Sequence, residues 1–574
     1  MPLFLATYNS KKLSNIEIKK TLKYKNRNYP RTIKWNDNYF AIKILFKENI
    51  KEQFFLNKGS CFVFFNGLVL SDKNKKPLSA RQISQLYKIK GTNFIKKLNG
   101  FYSIILFDFK TKKLISIRDH AGVKNIYYTL SNESISISNY LSILYESKII
   151  RFIPNYEAYL EHIIHGNIVG GETISKNVYQ LPAANFLKYN YSKLKLLEFW
   201  KPKKIRSNIS LRKKIQKFDK LFKEVIKDWV PKKKNLSLLL SGGLDSSLLS
   251  KLIMKRNSKL RFYTAIFEKQ YGYNETNLIT KTSSQINKRH NFFKIKENKF
   301  SNHLINYIRR THHPITNYNG LVIDHLSKKI KKEKNCKIIY TGEGSDELFS
   351  GFYRHFEISQ KFKKTKNIKD LIMSKNYLNV RRLRYIKKNF KYNIPLTRID
   401  IAKSIKDNIA IKKYLILDQK TYMSAYLDRL DQCSYLNNME IRPVFMDKRI
   451  MEFSQTLNEN DYSNLSLDNK LNTKIFLRKY SEKYLEKDIS YPKNKKMQLM
   501  IPSSNWFYQG KLKKMLLSSL SKKSFFFKEF GLKKVSNLIK EHSPERQSKK
   551  DHSSFFERIL AYEIWLKFMY KYKK

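Results

Sequence analysis

Cysteine is scarce in this chain, which has only three in 574 residues, Cys61, Cys336 and Cys433. An odd number without a Cys-x-x-Cys pair excludes a disulfide framework and a zinc site built from thiolates. Long apolar runs are absent as well, since none approaches the ~18 residues of a membrane-spanning helix, and the N-terminus lacks the pattern of a secretory signal. We therefore expect a cytoplasmic protein without a membrane partner.

Acidic residues are also few, with 47 against 115 lysines and arginines, so the formal net charge is +68. Such a balance favours acidic partners at low salt and usually suggests a nucleic-acid face. Lysine is, however, spread through nearly every segment, and glycine is limited to 17 residues. This profile is typical of strongly AT-biased codon usage, so we predict no specific nucleic-acid partner.

The segment Ser241–Ser247, SGGLDSS, stands between a short apolar run, Leu236–Leu240, and leucines that recur at helical spacing. The run predicts a buried parallel strand, although a buried helix segment has the same appearance, and the spacing after it predicts a helix. A strand, a tight glycine turn and a helix bring free N–H groups and the positive end of a helix dipole to one point, where an anion can bind. A glycine turn without a ligand is the simpler alternative.

Asp245 indicates which anion chemistry this turn supports. Gly242 and Gly243 let the backbone approach a phosphate, and the serine hydroxyls of the segment would donate to it. A carboxylate at this position would repel a phosphate unless a divalent cation stood between them, so the sequence predicts magnesium. The segment is not a P-loop, because it lacks the Gly-Lys-Ser/Thr ending.

A second glycine-rich segment follows another apolar run, Lys337–Tyr340, which we predict to be a strand. It reads TGEGSDELFSG over residues 341–351 and carries Glu343, Asp346 and Glu347 close together. Carboxylates at such short spacing disfavour joint ionisation, so they need a cation or a proton to coexist. A solvated acidic loop is the alternative.

In this order, the two segments resemble the signature motifs of the asparagine synthetase family, which splits ATP between its alpha and beta phosphates. The resemblance implies ATP as a substrate and magnesium held by Asp245 and Asp346. It also implies nucleotide contacts from ten residues: Leu240, Ser241, Gly242, Gly243, Asp245, Ser246, Ser247, Ile266, Gly344 and Ser345.

Further segments extend the resemblance towards the C-terminus. Residues 472–478, NTKIFLR, are similar to the family's Lys-x-x-Leu-Arg helix, which singles out Lys474 for stabilising charge as pyrophosphate leaves. Glu343 is then the candidate for accepting a proton from the attacking amine, and Asp346 completes the catalytic set. Residues 422–447, YMSAYLDRLDQCSYLNNMEIRPVFMD, are similar to another family segment.

Four positions of the C-terminal half leave alternatives open. Glu440 and Arg442 match the family, and they form either a buried ion pair or a substrate contact. Glu275 stands where the family has an acidic residue near the nucleotide. Gln498 replaces a glycine in a segment that also contains Lys496, so that loop is expected to differ.

The first 200 residues are rich in short β-type runs, among them Cys61–Phe65, Gly100–Phe109 and Leu114–Ile117. Residues 118–128, RDHAGVKNIYY, resemble the glutamine-hydrolysing domain of the same family. That domain uses an N-terminal cysteine as its nucleophile, whereas this chain begins Met-Pro-Leu-Phe and retains only Asn-Gly at 66–67 of the glutamine pocket. The resemblance therefore implies a retained scaffold without glutaminase activity.

The whole pattern predicts an α/β protein of two domains, which 574 residues with 41% hydrophobic residues can support. Residues 1–203 are expected to form an α+β sandwich of the N-terminal-nucleophile glutaminase type. Residues 204–574 are expected to form a doubly wound parallel-sheet PP-loop ATP-pyrophosphatase domain with added helices.

The expected function is that of an ATP-dependent ligase, which adenylates a small-molecule, carrier-bound or peptide-bound carboxylate and transfers it to ammonia or an amine. The nitrogen comes from free ammonia, from a partner glutaminase or from an amine on the substrate or on a second molecule. With such an amine the chain would resemble β-lactam synthetases or lasso-peptide cyclases. A non-catalytic nucleotide-binding or RNA-binding subunit is the alternative from another class, and a homodimer stays open.

Overall fold

The structure is a computed structural model of the chain. It describes residues 1–71, 77–131, 133–202, 209–268, 279–280, 284, 290–315, 317–334, 336–373, 393–465, 471–491, 501–521, 524, 532–545 and 550–572. Within this part of the chain, no helix combines the length and the apolar character needed to cross a membrane. The boundary that we predict at residues 203–204 falls outside the described residues.

The described strands are β1 (Leu3–Asn9), β2 (Arg31–Asn36), β3 (Phe40–Phe46), β4 (Phe54–Leu56), β5 (Cys61–Ser71), β6 (Leu98–Asp108), β7 (Lys113–Arg118), β8 (Tyr127–Ser131), β9 (Ser134–Ser138), β10 (Tyr179–Gln180), β11 (Asn185–Asn190), β12 (Lys193–Glu198), β13 (Leu236–Leu239), β14 (Leu260–Phe267), β15 (His290–Ile295), β16 (Ile338–Thr341), β17 (Glu440–Pro443), β18 (Ser463–Leu465) and β19 (Leu471–Thr473).

The described α-helices are α1 (Asn15–Lys23), α2 (Ala80–Lys90), α3 (Leu141–Glu146), α4 (Tyr156–His165), α5 (Leu211–Trp229), α6 (Leu244–Arg256), α7 (Glu297–Thr311), α8 (Asn319–Lys334), α9 (Ser345–Phe349), α10 (Tyr353–Thr365), α11 (Ile368–Met373), α12 (Leu396–Ser404), α13 (Ala410–Lys420), α14 (Tyr422–Asn437), α15 (Lys448–Ser454), α16 (Glu459–Tyr462), α17 (Ile475–Ser481), α18 (Lys487–Ser490), α19 (Ser503–Gln509), α20 (Lys511–Ser519), α21 (Leu532–Glu541) and α22 (Ser553–Met569).

The first 200 residues form two antiparallel sheets, with strand orders β10-β8-β9-β1-β3-β2 and β12-β11-β7-β6-β5-β4. Aromatic side chains from both sheets interlock between them; Phe4 of β1 meets Phe64 of β5 with ring centres 5.8 Å apart, and Phe40 of β3 stacks on Phe107 of β6 at 4.6 Å. Because successive side chains of a strand point to opposite faces, one face of each sheet fills this core and the other packs on helices. The predicted α+β sandwich is confirmed.

The remaining large sheet is parallel and has the strand order β15-β14-β13-β16-β17. Both faces of β13 are buried, with Leu236 and Leu238 on one side and Ser237 on the other, as expected when helices cover both faces of a sheet. The chain first adds strands on one side of β13 and then returns to the other side, which confirms the predicted doubly wound topology. The strand order reverses between β13 and β16, where such sheets bind their ligands.

Candidate active site

The segment Ser241–Ser247 lies at the carboxyl end of β13, and helix α6 begins directly after its two glycines. Gly242 has a φ of +72°, which glycine adopts readily, and a Cβ there would lie 3.0 Å from Ile279 Cγ1. Ser241 closes the turn, because its backbone N–H and its hydroxyl lie 3.2 and 3.1 Å from Ser246 Oγ. The first N–H groups of α6 therefore lie at the carboxyl ends of the neighbouring strands β13 and β16.

Ser247 carries a hydroxyl with unused hydrogen-bonding capacity. Its Oγ is buried and has no hydrogen-bond partner among the described residues, whereas the Ser246 hydroxyl donates to Gly243 O at 3.2 Å. Buried hydroxyls without a partner are uncommon in folded proteins. Because Ser247 lies in the first turn of α6, its hydroxyl fits the phosphate contact that the sequence predicts.

Four polar side chains meet at the same edge of the sheet. Lys474 Nζ lies 2.5 Å from Asp245 Oδ1 and 2.6 Å from Asp346 Oδ1, and the Ser345 hydroxyl donates to Asp245 Oδ1 at 2.8 Å. Lys474 is the residue directly before α17, and its side chain is buried. We call Asp245, Ser345, Asp346 and Lys474 the Lys474 cluster. It unites candidates from three segments of the chain, and Asp245 and Ser345 are 100 residues apart.

Because Gly351 has no side chain, Asp346 and Lys474 of the Lys474 cluster can occupy the space beside its Cα. A Cβ on Gly351 would lie 1.7 Å from Asp346 Oδ1 and 2.3 Å from Lys474 Cε. The backbone N–H of Gly351 also donates to Asp346 O at 2.9 Å. Any larger residue at this position would therefore displace two candidate catalytic side chains.

The three carboxylates of residues 343–347 are accommodated in three different ways. Arg429 Nη2 lies 2.6 Å from Glu343 Oε1, and Asp346 faces the Lys474 ammonium. Glu347 is buried, and desolvation together with neighbouring carboxylates raises its pKa to about 8. Burial therefore favours the protonated form of Glu347, while its two neighbours are paired with cations.

The residues at this edge fit a magnesium ion that is bound together with phosphates. Magnesium in phosphate-transfer sites takes one or two protein carboxylates and completes its shell with water and phosphate oxygens. Asp245 and Asp346 provide such a pair, since one ammonium group contacts both. The described part of the chain contains no group of three or more His, Cys, Asp or Glu side chains that could hold a metal ion alone.

The other predicted residues lie beside the cluster or outside the described chain. Leu240 directly follows β13, where its N–H donates to Tyr263 O at 3.0 Å, and Ile266 lies near the carboxyl end of β14. Gly344 has a φ of +88°, and the Met446 side chain occupies the position that a Cβ on Gly344 would take. Three positions lie outside the described residues: Glu275, Lys496 and Gln498.

Two residues at the site were not predicted. Arg429, which contacts Glu343, belongs to the family-like segment 422–447, but a single arginine carries no signal of its own in so basic a chain. Arg478, the last residue of the Lys-x-x-Leu-Arg match, donates from Nε to Thr473 O at 2.7 Å. Desolvation lowers the pKa of Arg478, while the carboxylates of the Lys474 cluster act in the opposite direction.

A cavity of about 780 Å³ lies at the amino ends of the parallel strands, opposite the end that carries the Lys474 cluster. Its lining includes Met1, Gly67, Lys124, Glu440 and Arg442. Arg442 Nε and Nη2 lie 2.9 and 3.0 Å from the two carboxylate oxygens of Glu440. The ion-pair alternative for these two residues is therefore observed, at the amino end of β17 and away from the Lys474 cluster. Among the described residues that line the cavity there is no cysteine, serine or threonine.

Comparison with known proteins relates both halves of the chain to one family. A family model described as asparagine synthase matches residues 217–567, and one described as a glutamine amidotransferase domain matches residues 80–200. A protein of Methanocaldococcus jannaschii, named as a glutamine-hydrolyzing asparagine synthetase 2, is 25% identical over 315 residues, which cover 52% of this chain and 60% of that protein. The glutamine-hydrolyzing asparagine synthetase 2 of Bacillus subtilis is 22% identical over 505 residues, which cover 79% of this chain and 66% of that protein.

Similarity to solved structures is weak. The allosteric regulatory enzyme of purine biosynthesis matches 52% of this chain and 80% of its own with 7% identity and a TM-score of 0.24, which is too low to establish a shared fold. The chain spans 60% of the length of the M. jannaschii relative. The asparagine synthase model nevertheless matches well over half of the residues, from 217 to 567. The chain therefore belongs to the asparagine synthase family.

Proposed function

We propose that this chain is an ATP-dependent ligase that activates a carboxylate as its acyl adenylate and transfers the acyl group to ammonia or an amine. The observation that carries the proposal is the Lys474 cluster at the carboxyl ends of β13 and β16, where the strand order of the sheet reverses. We also propose the division into domains of residues 1–203 and 204–574. A cytoplasmic location stays a prediction.

In the first step, an oxygen of the substrate carboxylate attacks the alpha phosphorus of ATP. A P–O bond forms to the carboxylate, the P–O bond to the beta phosphate breaks, and pyrophosphate leaves with the electron pair. The N–H groups that follow Gly243 and the Ser247 hydroxyl would bind phosphate oxygens. Asp245 and Asp346 would hold magnesium, which supplies neutralising positive charge when bound. The buried Lys474 ammonium stabilises the charge that develops on pyrophosphate.

In the second step, the nitrogen of ammonia or an amine attacks the acyl carbon. A C–N bond forms, the C–O bond to the phosphate breaks, and AMP leaves with the electron pair. The nitrogen must lose a proton, and the Glu343 carboxylate is the proposed acceptor. Its side chain is 28% exposed, so an incoming amine can reach it.

We further propose that the nitrogen does not come from glutamine hydrolysed by this chain. The cavity in which Gly67 lies offers no thiol or hydroxyl nucleophile among its described lining residues, and all three cysteines are buried elsewhere. Cys61 begins strand β5, which also carries Gly67, and its Sγ lies 3.1 Å from Ser84 Oγ. Release of glutamate from glutamine by the purified protein would contradict this part of the proposal.

Exchange of labelled pyrophosphate into ATP tests the adenylation step. We expect exchange that depends on magnesium and on a carboxylate, with L-aspartate and a mixture of the other standard amino acids as probes. Asp245→Asn should abolish it. The matched control is Asp324→Asn, because Asp324 is also buried and accepts hydrogen bonds from His303 and Asn437. Carboxylate-dependent exchange that survives in Asp245→Asn would refute the assignment, and nucleotide or RNA binding without any exchange would favour a non-catalytic subunit.

A further inference from the structure

The loop Asp119–Asn125 of the N-terminal half has no part in the proposed chemistry, yet its conformation is tightly fixed. The Arg118 guanidinium donates to two carbonyl oxygens of the loop at 2.8 and 2.9 Å. The Asp119 carboxylate accepts hydrogen bonds from the backbone N–H groups of Val123 and Lys124 at 3.1 and 2.9 Å. We call Asp119–Asn125 the support loop; these bonds lie within the N-terminal half and fix the shape of the loop.

Two residues of the support loop bind helix α14. Lys124 Nζ lies 2.9 Å from Asp431 Oδ1, and both side chains are fully buried. The backbone N–H of Asn125 donates to Asp431 Oδ2 at 3.1 Å, and its side-chain amide donates to Asp428 Oδ1 at 2.7 Å. Asp428 and Asp431 are three residues apart and share one face of the helix. The support loop therefore holds that face of α14.

Arg429, which follows Asp428 directly, extends from a different face of α14 to the candidate active site. Consecutive residues of an α-helix are separated by roughly 100°, so a helix fixed through Asp428 and Asp431 also fixes the direction of Arg429. Its Nη2 lies 2.6 Å from Glu343 Oε1. Its guanidinium carbon lies 4.6 Å from the centre of the Tyr426 ring, in a cation–π contact.

Glu343 donates its backbone N–H to Thr341 Oγ1 at 3.0 Å, so its backbone is held locally, whereas its carboxylate is held by Arg429. Glu343 stands between two glycines, and Gly344 has a φ of +88°. The Met446 side chain covers Gly344, and the Met446 carbonyl oxygen accepts a hydrogen bond from His120 Nε2 of the support loop at 2.8 Å. The support loop thus reaches the Glu343 segment from two sides.

We propose that Arg429 is a positioning residue for Glu343 in amide formation, and that the support loop holds Arg429 in place through Asp428 and Asp431. The inference rests on the proposed function, in which Glu343 accepts the proton of the attacking amine. It assigns the N-terminal half a role that requires no glutamine hydrolysis. Adenylation does not use Glu343, so displacement of Arg429 should slow the second step alone.

Two variants of the full-length chain test the inference against a matched control. Arg429→Lys keeps the positive charge but removes the planar fork of donors, and Asp431→Asn keeps the shape but removes the charge opposite Lys124. The control is Glu161→Gln, which alters another buried pair between the two halves, in which Arg398 Nη2 lies 2.7 Å from Glu161 Oε1.

Amide formation and pyrophosphate exchange are compared with L-aspartate and ammonium chloride as probes. We expect amide formation to fall by about 100-fold in Arg429→Lys and about tenfold in Asp431→Asn, while exchange falls less than about threefold. In Glu161→Gln the ratio of the two rates should stay at the wild-type value. An unchanged ratio in Arg429→Lys would overturn the inference, because a loss of stability lowers both rates together.

Hydrogen–deuterium exchange of the peptide 341–351 separates the inference from the proposed function. A wild-type chain without pyrophosphate exchange would refute the proposed function, yet the coupling between the support loop and Glu343 would still be measurable. Asp431→Asn should speed amide exchange in this peptide, and Glu161→Gln should not. If Asp431→Asn fails to fold, Asp428→Asn replaces it, since it removes fewer contacts. If the peptide exchanges deuterium at the wild-type rate in the folded variant, the coupling is refuted.

Discussion

Replacing Gly351 with alanine should remove activity and leave the chain folded. The new Cβ would lie 1.7 Å from Asp346 Oδ1 and 2.3 Å from Lys474 Cε, whereas Cβ atoms essentially never approach another heavy atom within 3.0 Å. Gly351 is not among the glycines with a positive φ, so alanine can adopt its backbone conformation. The conflict is therefore confined to two side chains of the Lys474 cluster.

The geometry sets the size of the effect. Asp346 Oδ1 would have to retreat by about 1.3 Å to restore a 3.0 Å separation, and its 2.6 Å contact with Lys474 Nζ would be lost. Overpacking costs about 1–3 kcal/mol, and we expect the lower end because both groups are the ends of flexible side chains. Catalysis is more sensitive, since a misplacement of ~1 Å costs roughly 100-fold in rate. Pyrophosphate exchange should fall by at least that factor.

Gly91→Ala is the matched control for this prediction. Gly91 follows helix α2 at φ +52°, and nothing lies within 4 Å of a new Cβ. With a ψ of −143° this conformation is adopted almost only by glycine, so alanine costs about 1–3 kcal/mol there without contact to the site. Urea denaturation and pyrophosphate exchange are measured on both variants. A Gly351→Ala chain with wild-type exchange, or a Gly91→Ala chain that has lost it, would refute the reasoning.

Three further predictions concern the charges of the protein. Lys474→Met leaves Asp245 and Asp346 without their shared ammonium, and pyrophosphate exchange should fall by about 100-fold or more. Magnesium and ATP at about 100 times the dissociation constant should stabilise the wild-type chain by ~2.7 kcal/mol in urea titrations, and Asp245→Asn should lose most of this gain. Desolvation lowers the pKa of the buried His120 to about 4, so the folded chain keeps it neutral while the unfolded chain binds a proton below about pH 6.5. Stability is therefore lost as the pH falls from 6.5 towards 4, and between pH 7 and 5 His120→Gln should lose about 2 kcal/mol less than the wild type. Equal losses in both chains would contradict this assignment.

Local sequence is sufficient to predict the strands of the parallel sheet, because strands buried on both faces appear as short apolar runs. The run Leu236–Leu240 predicts β13, which ends one residue earlier, at Leu239. The run Lys337–Tyr340 predicts β16, which is shifted by one residue to Ile338–Thr341. The ends differ because hydrogen bonding to the neighbouring strand, rather than apolar character, determines where a strand stops.

The site is less accessible to prediction because its contacts join distant segments. Lys474 is identifiable because Leu477 and Arg478 follow it at the expected spacing. Arg429 is not, since a single arginine carries no signal in a chain with 115 lysines and arginines, and its partner is 86 positions away. The role of Gly351 depends on where the Lys474 side chain lies, which no local pattern contains.

The buried pair Lys124–Asp431 offers a physical reason for retaining the N-terminal half if, as we propose, this chain does not hydrolyse glutamine. Both side chains are fully buried, and removal of one partner from such a pair costs about 3–5 kcal/mol because it leaves an uncompensated charge. Side chains that line an open cavity are under no such constraint, since water can solvate whatever replaces them. Glutamine-hydrolysing chemistry can therefore be lost by single substitutions at the cavity, whereas separating the support loop from α14 requires at least two simultaneous changes. If the support loop also positions Arg429, selection for the ligase activity of the C-terminal half would preserve the N-terminal half.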